Sequence, residues 1–174
     1  MYCSNWIYDI CPYLVKNSGK DAVITVSSDR SVRVWMLRDS GQYWPSVCHY
    51  LGGGATAIHF NQESRKVFVG LDTGIVAEFE VRITTLVQSA HKSILISSKI
   101  ICYFIVLQYD FQLSEDCNRL DHIKDYHAHT QRVTGIHYSH SKKWLLSCAK
   151  DKYLQFHCAG TGRRLGEYLC NAAW

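Results

Sequence analysis

Residues 25–35, TVSSDRSVRVW, decide the fold. Thr25 to Ser27 is a short run that includes a β-branched pair. Ser28, Asp29 and Arg30 carry turn chemistry. Ser31 to Trp35 then alternates, with Val32 and Val34 on one face and Arg33 on the other. A period of two on one side of a short polar turn, with a β-branched run on the other, predicts strand, tight turn, strand. The same grammar returns at residues 147–157, SCAKDKYLQFH. In both copies a hydroxyl residue stands four positions before an Asp, and an aromatic or His stands six after it. A third copy, 69–79 (VGLDTGIVAEF), carries Asp72 one position early. Self-similarity of this kind marks a repeat architecture.

Working outward, Val23–Val26 and Val32–Trp35 make a hairpin, with a strand around Tyr13–Val15 before it. Tyr43–Tyr50 is apolar but holds Pro45, which suits an edge strand. Ala57–Phe60, Val67–Val69 and Ile75–Phe79 follow as strands, separated by the turns Asn61–Arg65 and Asp72–Gly74. Val133–Tyr138, Trp144–Cys148, Tyr153–Cys158 and Leu165–Leu169 repeat the pattern. Met1–Cys11 shows no clear period. From Trp35 to Phe79 is 44 positions, within the roughly 40–45 residues of a propeller blade. From Phe79 to His157 is 78 positions, so about 34 residues are surplus to one period.

The surplus falls in residues 81–112, a segment without Gly or Pro and without the repeat grammar. A structureless loop of that length inside a blade is unusual. Val81-Arg82 can be encoded by a splice-donor-like string and Phe111-Gln112 by an acceptor-like one, so the segment reads as an in-frame retained intron, with a genuine insertion as the alternative. The expected division is 1–12 unassigned, 13–50 first blade, 51–80 second blade, 81–112 insert, 113–126 remainder of the second blade, 127–170 third blade and 171–174 the start of another. The fold class is all-β: a partial β-propeller of about two to three blades of four-stranded antiparallel sheet.

Composition narrows function. Hydrophobic content is 47%, charged content 20% and net charge +4, as in a soluble globular protein. The cations are scattered, with no basic run beyond the doublets Lys142-Lys143 and Arg163-Arg164, so no nucleic-acid footprint is expected. Eight Cys include no C-x-x-C pair, which removes zinc-ribbon and thioredoxin-like signatures and leaves buried reduced thiols in an intracellular protein. The longest apolar run, Ile100–Leu107, is eight residues, where a membrane helix needs about twenty.

The residues that recur in the units are His129, Ser147 and Asp151 in the last, Thr25, Asp29 and Trp35 in the first, and Asp72 and Phe79 in the middle one. Asp accepts backbone N–H bonds in a tight turn, a buried hydroxyl needs a partner, and a large ring adds apolar burial. A His-Ser-Asp set invites a hydrolase reading, but no nucleophile elbow is present. A metal-dependent hydrolase on His127, His129 and Asp151, or a zinc site among His137, His140, His157 and Cys158, is the alternative of another class. No cofactor and no metal are expected. Exposed strand ends and loops would carry partners, with Arg33, Arg38, Tyr43, Trp44 and Lys152 as the candidates, since interfaces favour aromatics and Arg.

With these residues in hand, the chain resembles the WD-repeat proteins, and more narrowly the WD-repeat and FYVE-domain-containing family. The segments that carry the resemblance are VITVSSDRSVRVW (23–35), RDSGQYWPSV (38–47), VGLDTGIVAEF (69–79), AHTQRVT (128–134) and GRRLGEY (162–168); LSED (113–116) continues the pattern directly after Phe79 and Glu80. The resemblance covers about residues 13–80 and 113–170 and implies a hydrogen-bonded His, Ser/Thr, Asp and Trp chain across each blade. Position 157, where Trp would stand, is His. It implies a non-enzymatic scaffold for protein partners such as kinases, in the cytoplasm and on early endosomes. The family binds phosphatidylinositol 3-phosphate through a FYVE zinc finger, and no residue of this chain matches that finger, so no direct membrane contact is expected. A subunit of a ubiquitin-ligase or nuclear assembly is the alternative. An incomplete propeller would expose strand edges and an apolar face, and so be prone to aggregate.

Overall fold

The computed structural model describes residues 7–14, 21–82 and 119–171. These hold twelve strands and no helix. The strands are β1 (Ile7–Leu14), β2 (Asp21–Ser27), β3 (Ser31–Leu37), β4 (Tyr43–Tyr50), β5 (Ala55–Asn61), β6 (Lys66–Leu71), β7 (Ile75–Arg82), β8 (Arg119–His127), β9 (Val133–Ser139), β10 (Trp144–Ala149), β11 (Tyr153–Cys158) and β12 (Arg164–Leu169). They form three four-stranded sheets, each a simple antiparallel meander: β1-β2-β3-β4, β5-β6-β7-β8 and β9-β10-β11-β12.

The deciding stretch is a hairpin as read. Thr25 pairs with Arg33 and Val23 with Trp35. Asp29 shapes the turn by accepting from Ser31 N–H at 3.0 Å and from the Ser31 hydroxyl, and Arg30 closes it with φ 62°. Pro45 lies on an edge strand, opposite Trp35 beside a bulge, where its missing N–H costs no ladder bond. The first strand begins earlier than the sequence reading of Tyr13–Val15: β1 runs Ile7–Leu14 and takes in the last five residues of the stretch without a period. The polar β8, which supplies the outer edge of the second sheet, has no counterpart in that reading. β7 also runs past Phe79 to Arg82, and Val81 is buried opposite Leu120. Residues 83–118, which hold most of the surplus segment and its acceptor-like end, lie outside the described residues.

The sheets stack face to face, and two cores fill the seams. Ile24, Val26, Val34, Val67, Val69 and Phe79 pack between the first and second sheets. Phe68, Val76, Tyr126, Val133, Tyr138 and Leu145 pack between the second and third. Alternate residues of the second sheet point into opposite seams, so its interior strands are buried on both faces. Two glycines permit the close approach of the third sheet. A Cβ on Gly70 would lie 2.6 Å from Val133 Cγ1, and one on Gly74 would lie 2.1 Å from His129 O. Thr56 Oγ1 donates to Val133 O at 2.6 Å, and His129 N–H donates to Gly74 O at 3.0 Å.

A charged residue is buried in the second seam. Glu78 is inaccessible and accepts from the Tyr126 hydroxyl and from Lys66 Nζ. A buried carboxylate needs such partners. Burial, then the adjoining Glu78 carboxylate, pushes the Tyr126 phenol far above its ordinary range.

A hydrophobic cleft where one sheet lacks its polar network

In the third sheet the expected chain is complete up to its last member. His129 sets Nδ1 3.1 Å from Asp151 Oδ2 and Nε2 2.9 Å from Ser147 Oγ. Asp151 also accepts from Thr130 N–H and Tyr153 N–H, both at 3.1 Å. Both imidazole nitrogens and both carboxylate oxygens are therefore in use. Ser147 is 1% exposed, so no substrate reaches its hydroxyl and the arrangement fastens two turns together. His127 is exposed while His129 is buried, and among the described residues no three His, Cys, Asp or Glu converge on a metal position. His157 is buried against Tyr126, ring centroids 5.5 Å apart, and its Nδ1 has no hydrogen-bond partner. Burial, then His129 and Arg164 nearby, lowers its pKa.

The first sheet solves the same problem without His. Trp35 Nε1 donates to Thr25 Oγ1 at 2.9 Å. Asp29 receives Arg33 Nη2 at 2.9 Å. Burial pushes the Asp29 carboxyl up, but the Ser31 hydroxyl, the Arg33 guanidinium and the neighbouring donors together hold it below its ordinary value. Arg33 is thus a correction to the sequence reading. It was expected on an exposed strand end, yet it is 5% exposed, turned onto the turn carboxylate. The alternation that put Arg33 opposite the valines was right; the face it occupies is buried.

In the second sheet the network is gone. Register aligns Val67–Phe79 with Leu145–His157 and with Val23–Trp35, so Phe79 stands where the others have His157 and Trp35. By the same register Val69 replaces the hydroxyl residue, Ala77 replaces Gln155 or Arg33, Thr73 replaces the turn Asp and Leu51 replaces His129. Asp72 does a different job, accepting Gly54 N–H at 3.0 Å. Leu51 and Val69 remove the hydrogen-bonding groups, and Ala77, in place of Gln155 or Arg33, removes bulk as well. A cleft of about 190 Å³ opens there, at the seam with the first sheet. Leu51, Thr73, Ile75, Ala77 and Phe79 line it, with His49, Tyr50, His122 and Asp125 among its other walls. The His49 and His122 rings stand edge-on to Phe79, at 5.1 and 5.3 Å. His122 Nε2 is 2.9 Å from Asp125 Oδ1. Burial, then His122, lowers the pKa of His49, so the cleft presents neutral His49. Tyr50 is exposed at its rim.

The sequence candidates fall at opposite ends of the sheets. Lys152 is exposed on the β10–β11 turn with φ 71°, at the end where the cleft opens. Arg38, half-buried, and the exposed Tyr43 and Trp44 share the β3–β4 end. The cleft itself went unread, because its signal is a set of absent polar residues at matched offsets.

The family model for the "WD domain, G-beta repeat" matches residues 120–157, from the outer strand of the second sheet through three strands of the third. The human WD repeat and FYVE domain-containing protein 2 is 37% identical over 153 residues, 88% of this chain and 30% of that protein. The bovine WD repeat and FYVE domain-containing protein 1 is 36% identical over 86% of this chain and 29% of its own length. The Caenorhabditis elegans protein 2 is 26% identical over 87% of this chain and 29% of its own. The chain therefore spans about 30% of the length of these relatives. Among solved structures, the WD40 β-propeller domain of Doa1 superposes with a TM-score of 0.60 at 14% identity, covering 98% of this chain and 43% of that one.

Proposed function

Because this chain is a WD-repeat relative of the WD repeat and FYVE domain-containing proteins, we propose that it is a protein-interaction scaffold of an endosomal adaptor, with no reaction of its own. Its WD sheets hold protein partners, kinases among them. Binding of phosphatidylinositol 3-phosphate through a FYVE finger is assigned to no residue of this chain. One observation carries the reading: the cleft beside Phe79. It is an apolar pocket of side-chain size, ringed by His49, His122 and Asp125, with Tyr50 standing 64% exposed at its edge. Pockets of this kind, apolar inside with a polar rim and an aromatic beside them, anchor a partner's side chain. Lys152 is exposed at the same end, on the third sheet.

The test uses a photo-crosslinking residue at position 50 in cells, followed by titration of the captured partner as a purified protein. Phe79→Trp places in the second sheet the ring that the first sheet holds at Trp35, and so fills the cleft. Affinity for the partner is expected to fall at least about 30-fold, the loss of a hot-spot contact of about 2 kcal/mol, with the melting temperature held. Unchanged affinity in a folded Phe79→Trp variant would refute the cleft as the partner site.

A further inference from the structure

At one end of the sheets the turns bring several cations together. Antiparallel meanders put the β1–β2, β3–β4, β5–β6, β7–β8, β9–β10 and β11–β12 connections at one end, opposite the end where the cleft opens. Here the fold gathers cations that the sequence scatters. Lys142-Lys143 and Arg163-Arg164 are 21 positions apart, yet Trp144 pairs with Cys158 and Ala159 N–H donates to Lys143 O at 2.8 Å, so their turns adjoin. The β5–β6 turn reaches the same place, since Glu63 Oε2 lies 3.5 Å from His140 Nε2, and it brings Arg65. Arg38 occupies the corresponding end of the first sheet. Of the carboxylates nearby, Glu80 pairs with Arg82, Asp121 with Arg82 and Arg119, and Glu167 with Arg164; Glu63 lies beside the His140 ring, and Asp39, next to Arg38, has an interaction of its own. Arg38, Arg65, Lys142, Lys143 and Arg163 have no carboxylate partner among the described residues.

Arg65 and Lys143 sit at their turns with φ 56° and 54°, as Arg30 and Lys152 sit at 62° and 71° at the opposite end, so this conformation belongs to the turns at both ends. A further feature lies beside these cations. The large apolar side chains beside these cations are exposed rather than packed: Tyr43, Trp44, Trp144 and Leu165 are 45%, 52%, 44% and 50% accessible. They stand on separate strand ends of the first and third sheets and line no common groove, so a partner that touched all of them would have to be broad and flat.

We infer that this end docks on an anionic lipid bilayer, with the five cations against the headgroups and the Trp and Tyr rings at the headgroup level. Anionic membrane surfaces attract Lys and Arg, and amphipathic rings settle at the interface. The inference replaces the expectation of no direct membrane contact, which rested on charges that look dispersed along the chain. It is independent of the cleft, which opens at the other end.

The test is co-sedimentation of the full chain with vesicles of phosphatidylcholine plus phosphatidylserine, against phosphatidylcholine alone. Binding is expected only to the anionic vesicles, weakening as salt rises, with tryptophan emission quenched by brominated lipid. The quenching should be lost in Trp44→Phe/Trp144→Phe. Lys142→Ala/Lys143→Ala should weaken binding about 25-fold, at about five-fold per cation removed. Arg65→Gly/Lys143→Gly should weaken it similarly while the melting temperature stays level or rises, which separates the charge from any structural role. Equal binding to both vesicle types, no quenching, wild-type affinity in the folded glycine variant, or retention only by soluble poly-glutamate would each overturn the inference; the last would assign the surface to an acidic protein.

Discussion

At the scale of single residues, position 157 shows how one side chain changes a seam. Trp35 meets a hydroxyl, Phe79 meets only apolar groups and other rings, and His157 is buried with one nitrogen unsatisfied. Tyr126 faces it from the second sheet, and His129 and Arg164 lie near it on its own. Burial, then His129 and Arg164, holds its pKa below the ordinary 6.5. The unfolded chain then takes up a proton that the folded chain refuses as the pH falls below about 6.5. Stability should be full above that pH and decline from there down to the lowered native value. His157→Phe copies the solution at Phe79. It should gain about 1 kcal/mol at neutral pH by removing an unpaired buried group, and should flatten the acid side of the profile. Urea midpoints of both proteins across the acid range measure this. An unchanged slope would move the pH dependence to His49 or His59, whose burial also lowers their pKa values.

Among the elements, the tight turns are the parts that hold the assembly in register. Gly74 turns β6 into β7 at φ 87° and lies against the backbone of His129. Gly74→Ala combines an unfavourable backbone conformation with a collision against a carbonyl that cannot move aside. Loss of about 2–4 kcal/mol is expected, read as a lower thermal midpoint, and a wild-type melt would show that the turn does not join the sheets. The hairpins were legible because turn chemistry and alternation are local signals. That covers Thr25–Trp35, Ser147–His157 and the edge strand at Pro45. β8, RLDHIKDYH, was not legible, because an outer strand buries little more than Leu120 and Tyr126 and its remaining positions meet water. The site was read in part. The His129-Ser147-Asp151 chain is what the WD-repeat resemblance implies for residues at those offsets. The burial of Arg33 depends on which face the sheet covers, the cleft on what the second sheet lacks, and the basic end on turns that meet only in space.

Considered as a whole, the molecule is three sheets leaning on one another through two cores, and its long connection leaves from one edge of the middle sheet. If 81–112 is an insertion into a repeat, joining Glu80 to Leu113 should preserve the second sheet, with Leu113 succeeding the buried Val81. Shortening the connection should then add about 2 kcal/mol, because closure entropy grows only with the logarithm of length. A lower midpoint in the joined protein, or loss of cooperative melting, would show that the segment belongs to the fold. β7 and β8 are zipped to their ends, where Arg82 faces Arg119. The chain thus departs and returns through one fixed gate about a strand's width across. Such a gate is a natural graft point: a fluorescent domain with neighbouring termini could be spliced between those arginines, and the sheets behind it would have no means of registering what had been attached.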